Sequence, residues 1–324
     1  MQNTVMTVGN AVASECKSSV VESTDGVTVA VHDFGGDGPA LLLAHATGFH
    51  GMVFTPLVKE LRSSFHCIAF DQRCHGASSR PRPASFSFAW SSFADDVLAV
   101  VHAMDLEQPS AFGHSSGGAA LLLAEERRPG TFRDLFCYEP VVLDVAGPLP
   151  PEGLPDNPLT RAALKRQEVF ESRDQAFDNF SRKPPLSSMS PEALTAYVDH
   201  GLIARPAGGF RLACRRDDEA EIYAQGFAHD AFQRLDTVSC PVTLAYGAET
   251  TSIGAGLIEA MAKKLPSPTV MEMPNLGHLG PLEDPHACAD AIVAAHRRIN
   301  PADSPVTKQQ SPESPKTRTQ APAP

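Results

Sequence analysis

The sequence has few of the features that mark a disulfide-rich or metal-binding protein. Its cysteines are odd in number and widely spaced, and no Cys-x-x-Cys pair occurs. Neither a disulfide framework nor a zinc site is therefore indicated. The seven cysteines are Cys16, Cys67, Cys74, Cys137, Cys214, Cys240 and Cys288. We expect most of them to be buried thiols in a reducing compartment, and we predict no metal and no other cofactor.

Long apolar runs are also absent. No stretch of the sequence reaches the roughly 18 consecutive apolar residues that a membrane-spanning helix needs. The first residues lack the basic start and the continuous apolar core of a signal peptide. The sequence therefore predicts a cytoplasmic protein without a membrane partner.

Positive charge is scarce as well. The chain has 27 Lys and Arg residues against 38 Asp and Glu residues, which gives a formal net charge of −11 and a pI near 5.5. Nucleic-acid binding depends on Lys and Arg at the phosphate backbone, so this balance argues against a nucleic-acid partner. The length of 324 residues, with 42% of them apolar, suffices for one large α/β domain with an insertion.

What the sequence does have is an alternation of short apolar runs with amphipathic stretches. Strands are predicted at 27–35, 40–46, 65–71, 109–114, 131–140, 241–247 and 269–274, with a hairpin partner for the first near 19–23. Helices are predicted at 53–64, 91–106, 116–128, 254–264 and 284–299. Repeated strand–helix units predict a mostly parallel sheet with helices on both faces.

Three segments fall outside this alternation. Residues 1–18 are small and polar, and we expect a loose leader. Residues 141–238 contain proline clusters and short helical pieces, which predict an insertion that includes an amphipathic helix within 210–227. Residues 300–324 hold six prolines and almost no large apolar groups, so a disordered tail is predicted. The predicted α/β core is therefore 19–140 plus 239–299.

The segment 113–117, Gly-His-Ser-Ser-Gly, is the strongest chemical signal in the sequence. It fits G-x-S-x-G directly after a predicted strand and directly before a predicted helix, which is the context of a nucleophile elbow. The alternative is a glycine-rich turn that only caps the helix. In the elbow interpretation Ser115 is the nucleophile, and the amide of Ser116 at the helix N-terminus stabilises an oxyanion.

A serine hydroxyl needs a base, and His278 is the best placed of the twelve histidines. It follows the last predicted strand and precedes the last helix, at the same edge of the sheet as Ser115. His286 and His296 lie within the final helix instead. His45 ends a strand near the site, in the segment expected to form the oxyanion hole.

Four segments make the chain resemble the α/β-hydrolase superfamily over about 25–299. They are HATGF (45–49), FDQRCHGAS (70–78), GHSSGG (113–118) and PNLGHL (274–279). One departure is Cys74, where many members have glycine. The resemblance implies an α/β-hydrolase fold in which the insertion 141–238 is a helical cap over the serine. It also implies a second oxyanion donor after the strand 40–46, the amide of Thr47, with Ala46 or Gly48 as alternatives.

The acid of the triad has two candidates. Many members carry an aspartate after the seventh strand, but this chain has Thr250 in that position, with Glu249 one residue earlier. Glu139, after the sixth strand, matches the glutamate of some haloalkane dehalogenases and of zearalenone-type lactone hydrolases. Either glutamate could orient His278 and fix its tautomer. Glu139 is favoured, and Glu249 stays the alternative.

These residues together predict a serine hydrolase that cleaves a carboxylic ester or lactone of a small organic substrate through an acyl-enzyme. Hydrolysis of an acyl thioester or of a carbon–carbon bond on the same fold is an alternative. A ligand-binding protein with weak turnover is the alternative from another class. Neither the substrate nor the oligomeric state can be derived from the sequence.

Overall fold

The structure is a computed structural model that describes residues 12–13, 15–81, 88–144, 157–226 and 229–303. Most of the predicted leader, and the predicted tail from residue 304 onward, lie outside the described residues. Among the described helices, none combines the length and the apolar character that crossing a bilayer requires.

Eleven strands are formed in the described part of the chain. They are β1 (Lys17–Glu22), β2 (Thr28–Gly35), β3 (Ala40–Ala44), β4 (His66–Phe70), β5 (Ser110–His114), β6 (Asp134–Tyr138), β7 (Val169–Phe170), β8 (Leu202–Ala204), β9 (Phe210–Leu212), β10 (Val242–Gly247) and β11 (Pro268–Met273). Eight of them form one sheet in the order β1-β2-β4-β3-β5-β6-β10-β11. The pairs β1–β2 and β2–β4 are antiparallel, and every later pair is parallel.

Eleven α-helices accompany these strands in the same described ranges. They are α1 (Thr55–Leu61), α2 (Trp90–Ala103), α3 (Ser116–Arg127), α4 (Pro158–Leu164), α5 (Arg173–Phe180), α6 (Pro191–Gly201), α7 (Arg216–Gln225), α8 (Ala231–Arg234), α9 (Ala255–Ala262), α10 (Gly280–Glu283) and α11 (Pro285–Ile299). The predicted strand–helix alternation of the core is confirmed, with shifts of a few residues at the element ends.

The central strands are apolar on both sides because helices cover both faces of the sheet. Successive side chains of β3 point in opposite directions. Leu41 and Leu43 pack in one buried cluster with residues of α1 and α11. Leu42 and Ala44 pack in the other cluster with residues of α2 and α3. All seven cysteines are free, and all except Cys16 are buried. The mostly parallel sheet with helices on both faces is confirmed.

The insertion between β6 and β10 contains strands as well as the helices that were expected. It contains α4 to α7 and also a small antiparallel sheet in the order β7-β9-β8. The expectation of a helix within 210–227 is therefore wrong for its first residues, where β9 lies. Gly208 and Gly209, at φ of +86° and +70°, form the tight turn of the β8–β9 hairpin. A Gly-Gly pair favours a tight hairpin turn, so these two glycines are the sequence feature that could have predicted the hairpin.

The ends of the predicted segments also differ from the structure. Lys17 belongs to β1 and not to a loose leader. The chain stays ordered beyond α11, where Pro301–Asp303 forms a 3-10 turn. The Asp303 carboxylate accepts a hydrogen bond from Arg133 at 2.8 Å. At the end of the insertion, Phe232 of α8 packs in the core cluster beside α3. The apolar contacts of α8 are therefore made with the core.

Candidate active site

Ser115 lies at the corner between β5 and α3 with a strained backbone. Its φ and ψ are 55° and −117°, a region that L-residues rarely occupy. The corner is held because the Ser115 amide donates to the carbonyl of Tyr138 at 2.9 Å. The side chain is only 8% exposed. This strand–strained serine–helix geometry is the one that a nucleophile elbow requires.

The glycines of the elbow allow α3 to approach the sheet closely. A Cβ on Gly113 would lie 2.6 Å from the Cα of Gly118. A Cβ on Gly117 would lie 2.2 Å from the carbonyl oxygen of Ala44 in β3. Both separations are far below van der Waals contact, so side chains at 113 and 117 would push the helix away from the sheet.

Glu139 and His278 are joined by a short hydrogen bond at the carboxyl edge of the sheet. The Glu139 Oε2 atom lies 2.6 Å from Nδ1 of His278, and the Glu139 side chain is fully buried. Glu139 also accepts hydrogen bonds from the Gly247 amide at 3.0 Å and from the Thr250 hydroxyl at 2.8 Å. A carboxylate fixed in this way holds the Nδ1–H tautomer, so Nε2 of His278 is left as a proton acceptor.

Glu249, the alternative acid, is placed differently. Its side chain is exposed, and its backbone amide donates to the carbonyl of Leu276 at 2.9 Å. Within the described residues it forms no ion pair with His278. Thr250, which occupies the position of the common aspartate, instead donates to Glu139. The contribution of Thr250 could not be derived from the sequence, because β6 and β10 become neighbours only in the sheet.

Two hydrogen bonds join the His278 loop to the elbow and to the end of β6. His114 Nε2 donates to the carbonyl of His278 at 2.8 Å, and the Tyr138 hydroxyl donates to the carbonyl of Gly277 at 2.7 Å. Burial and the nearby His278 lower the pKa of His114 to about 3, so His114 is neutral at pH 7. No hydrogen bond joins Ser115 Oγ to His278 in the described chain, a contact that often tightens only when substrate binds.

Thr47 lies against Ser116, as the resemblance implies for an oxyanion hole. Its amide and its hydroxyl donate to the Ser116 Oγ atom at 2.8 and 3.0 Å. The next amide, that of Gly48, donates to Nε2 of His75 at 2.9 Å. In this structure the Thr47 amide is therefore hydrogen-bonded to a hydroxyl of the elbow, and the Gly48 amide is hydrogen-bonded to a buried histidine.

Two buried, neutral histidines form hydrogen bonds with the backbone of this loop. Burial lowers the pKa of His75 to about 4, and its Nδ1–H donates to the carbonyl of Arg73 at 2.9 Å. Its Nε2 atom is therefore free to accept from Gly48. His45 donates through Nδ1 to the carbonyl of Ala46 at 2.8 Å. The sequence placed His75 in the FDQRCHGAS segment but gave no sign of this role.

Two tyrosines of the insertion donate hydrogen bonds to the same loop. The hydroxyl of Tyr197 donates to the carbonyl of Gly48 at 3.3 Å, and that of Tyr223 donates to the carbonyl of Thr47 at 3.5 Å. Arg166 donates to the Tyr197 hydroxyl at 2.6 Å. The described residues of the insertion thus cover the loop beside Ser115. No group of three or more His, Cys, Asp or Glu side chains suited to a metal ion occurs in the described ranges.

The chain is similar in sequence and in fold to several known hydrolases. The chain is 23% identical over 244 residues to a 2-(acetamidomethylene)succinate hydrolase from Mesorhizobium japonicum, covering 75% of this chain and 82% of that protein. It is 24% identical over 268 residues to 3-oxoadipate enol-lactonase 2 from Acinetobacter baylyi, covering 82% and 91%. The crystal structure of E-2-(acetamidomethylene)succinate hydrolase matches with a TM-score of 0.72 at 22% identity, covering 86% of this chain and 98% of that one.

The sequence pattern of the Alpha/beta hydrolase family matches residues 41–291, which is most of the chain. This range contains the elbow, the buried glutamate and the histidine after the last strand of the sheet. The chain belongs to the alpha/beta hydrolase family, and it is an enzyme of the α/β-hydrolase type.

Proposed function

We propose that the protein is a serine hydrolase that cleaves a carboxylic ester or lactone of a small organic substrate through an acyl-enzyme. The observation that carries this proposal is the 2.6 Å contact between buried Glu139 and His278 at the sheet edge that also presents the strained Ser115. Ser115, Glu139 and His278, which come after β5, β6 and β11 at this edge, are the three residue types that a catalytic triad combines.

In the proposed reaction, Nε2 of His278 takes the proton of Ser115 Oγ while the oxygen attacks the substrate carbonyl. The tetrahedral intermediate collapses, His278 gives the proton to the leaving alcohol oxygen, and the acyl group stays on Ser115. His278 then takes a proton from water, and the water oxygen attacks the acyl carbon. The bond from that carbon to Ser115 Oγ breaks, the acid leaves, and His278 returns the proton to Oγ. Glu139 stabilises the imidazolium and keeps its own charge throughout.

The proposed oxyanion donors are the backbone amides of Ser116 and Thr47. The Ser116 amide lies at the N-terminus of α3, where the helix dipole favours negative charge. The Thr47 amide must leave the Ser116 Oγ atom to reach the oxyanion. Loss of one such donor typically lowers turnover by about 100- to 1,000-fold.

One relative supports the lactone class, since it is named an enol-lactonase. The other is named for the hydrolysis of 2-(acetamidomethylene)succinate, which carries an acetamide instead of an ester, and so supports only attack on an acyl carbon. We therefore propose for this chain a small organic substrate whose acyl carbon is attacked.

An activity screen with a matched variant tests the proposal. Purified wild-type protein and Ser115→Ala are offered p-nitrophenyl esters, lactones and acyl thioesters under the same conditions. We expect turnover of at least one ester or lactone by the wild type and none above background by Ser115→Ala. Turnover of thioesters alone would move the activity to the thioesterase alternative. Equal rates for both proteins, or no turnover of any substrate, would overturn the proposal.

A further inference from the structure

A cavity lies between the loop after β3 and the insertion. Its volume is about 320 Å³. Thr47, Gly48 and Phe49 line it from the core, and residues of α4 to α7 line it from the insertion. Because Thr47 is the proposed oxyanion donor, the cavity adjoins the place where the substrate carbonyl would be attacked. A substrate that reacts at Ser115 could therefore extend into it.

The charged lining of this cavity is mostly positive. It contains three cationic side chains, Lys165, Arg166 and Lys183, against one carboxylate, that of Glu219. Arg166 is paired with Glu219 at 2.5 Å. Neither lysine forms an ion pair with any carboxylate of the described residues. The uncompensated charge is notable in a chain whose net charge is −11.

The remaining walls are largely apolar. Phe180, Leu186 and Leu159 line the cavity together with the rings of Tyr197 and Tyr223. A cavity with apolar walls and a few convergent polar groups is typical of a small-molecule site. This lining suits a short hydrocarbon segment that ends in an anionic group. A planar carboxylate matches the donors of a guanidinium and two ammonium groups.

We propose that this cavity, named here the cap cavity, binds a carboxylate of the substrate, so that the substrate class is an ester or lactone that carries a second, free carboxylate. This inference rests on the proposed function, because it places the reacting carbonyl beside Thr47 and Ser115. The lysines attract the carboxylate at the rim of the cap cavity, and Arg166 lies deeper with its charge partly balanced by Glu219.

Matched esters test the preference for charge. The p-nitrophenyl monoesters of glutaric and adipic acid are compared with p-nitrophenyl pentanoate and hexanoate, which lack the free carboxylate. We expect the wild type to have a higher kcat/KM for the charged esters. In the double variant Lys165→Gln/Lys183→Gln the ratio of charged to neutral kcat/KM should fall about three- to tenfold, as expected for two exposed charges. The ratio should also fall as salt is added.

Lys263→Gln is the control for this experiment. Lys263 is also exposed, but it follows α9 and does not line the cap cavity. Its removal should leave the ratio at the wild-type value. A ratio that falls equally in Lys263→Gln and in the double variant would show a general charge effect and overturn the inference.

Binding to Ser115→Ala separates this inference from the proposed function, because it needs no turnover. Calorimetry compares adipate with neutral adipamide. We expect adipate to bind more tightly, and the difference to shrink in the triple variant with Lys165→Gln and Lys183→Gln. If adipate binds no better than adipamide while the wild type hydrolyses neutral esters, the carboxylate site is overturned and the proposed function stands. If adipate binds selectively but no ester is hydrolysed, the proposed function fails instead.

Discussion

At the scale of single residues, the site depends on how Glu139 is held. Its backbone has a φ of 44°, and its carboxylate meets His278, the Gly247 amide and the Thr250 hydroxyl. The sequence could nominate Glu139 because it directly follows an apolar strand that resembles the sixth strand of known hydrolases. It could not exclude Glu249, since the choice between them depends on which side chain turns inward after its strand.

The two glutamates are expected to respond differently to neutralisation. Glu139→Gln removes the charge that stabilises the imidazolium in the proposed reaction, and turnover should fall on the order of 1,000- to 10,000-fold. Glu249→Gln changes an exposed side chain and should leave turnover within about twofold. Steady-state kinetics on the best ester substrate measures both. A large loss in Glu249→Gln with little change in Glu139→Gln would assign the acid to the seventh strand of the core.

Thr250 is expected to act through Glu139. Thr250→Val removes a hydrogen bond to a carboxylate, and kcat should fall about tenfold with little change in KM. Thr250→Asp places a carboxylate near the same imidazole. Combined with Glu139→Gln, it should restore turnover at least tenfold over Glu139→Gln alone. If Thr250→Val is as active as wild type and Thr250→Asp restores nothing, Thr250 does not position the acid.

At the scale of elements, the periodic pattern of apolar and polar residues was sufficient to predict most strands and helices of the core. The strands of the core read as short apolar runs because both sheet faces are covered. The β8–β9 hairpin was missed because strands of three residues give too short a pattern to separate from an amphipathic helix. The Gly208–Gly209 pair indicates the hairpin more clearly than the apolar pattern of its strands does.

Helix α3 carries a buried carboxylate outside the site, Glu126. The residue is 4% exposed, and its Oε1 atom has no hydrogen-bond partner among the residues that the structure describes. Burial raises the pKa of Glu126 to about 8, and the opposing charge of Arg234 does not offset it. A carboxyl with a raised pKa contributes most to stability below its unfolded pKa of 4.5, and this contribution is lost as the pH rises through 8.

Glu126→Gln should therefore stabilise the protein more at pH 9 than at pH 5. We expect a gain of about 1 to 3 kcal/mol in the free energy of unfolding at pH 9, because a buried charge is replaced by an amide of the same shape. Urea denaturation at both pH values measures this. Glu107→Gln, at an exposed position, is the control and should change little at either pH. An unchanged stability of Glu126→Gln at pH 9 would contradict the expectation.

At the scale of the whole molecule, the parallel sheet brings distant parts of the chain together. Strand order places β5, β6 and β10 side by side, so the residues that follow them meet at one edge. The mostly parallel sheet could be predicted from strand–helix alternation, whereas the strand order comes from the structure. The cap cavity could not, because its lining comes from four helices of the insertion and a loop of the core, and their packing has no periodic signature in the sequence.

The order of the chain end gives a test at this scale. Asp303 contacts Arg133, and the Asn300 side chain donates to Asp134 at 2.9 Å. Truncation after Ile299 should lower the free energy of unfolding by about 1 kcal/mol, because these contacts are lost. Truncation after Asp303 should leave stability and turnover unchanged, as the composition of the remaining residues predicts. Equal stability of the two truncated proteins would show that the 3-10 turn contributes nothing.

Covalent labelling of Ser115 tests the central claim most directly. A fluorophosphonate reacts with a serine only where a base activates the hydroxyl, forming a bond from Oγ to phosphorus as fluoride leaves. We predict one adduct by intact mass on wild type and on Ser116→Ala, mapped by peptide sequencing to Ser115, and none on folded Ser115→Ala. An unlabelled wild type, or an adduct that persists in Ser115→Ala, would contradict the assignment of Ser115 as an activated nucleophile.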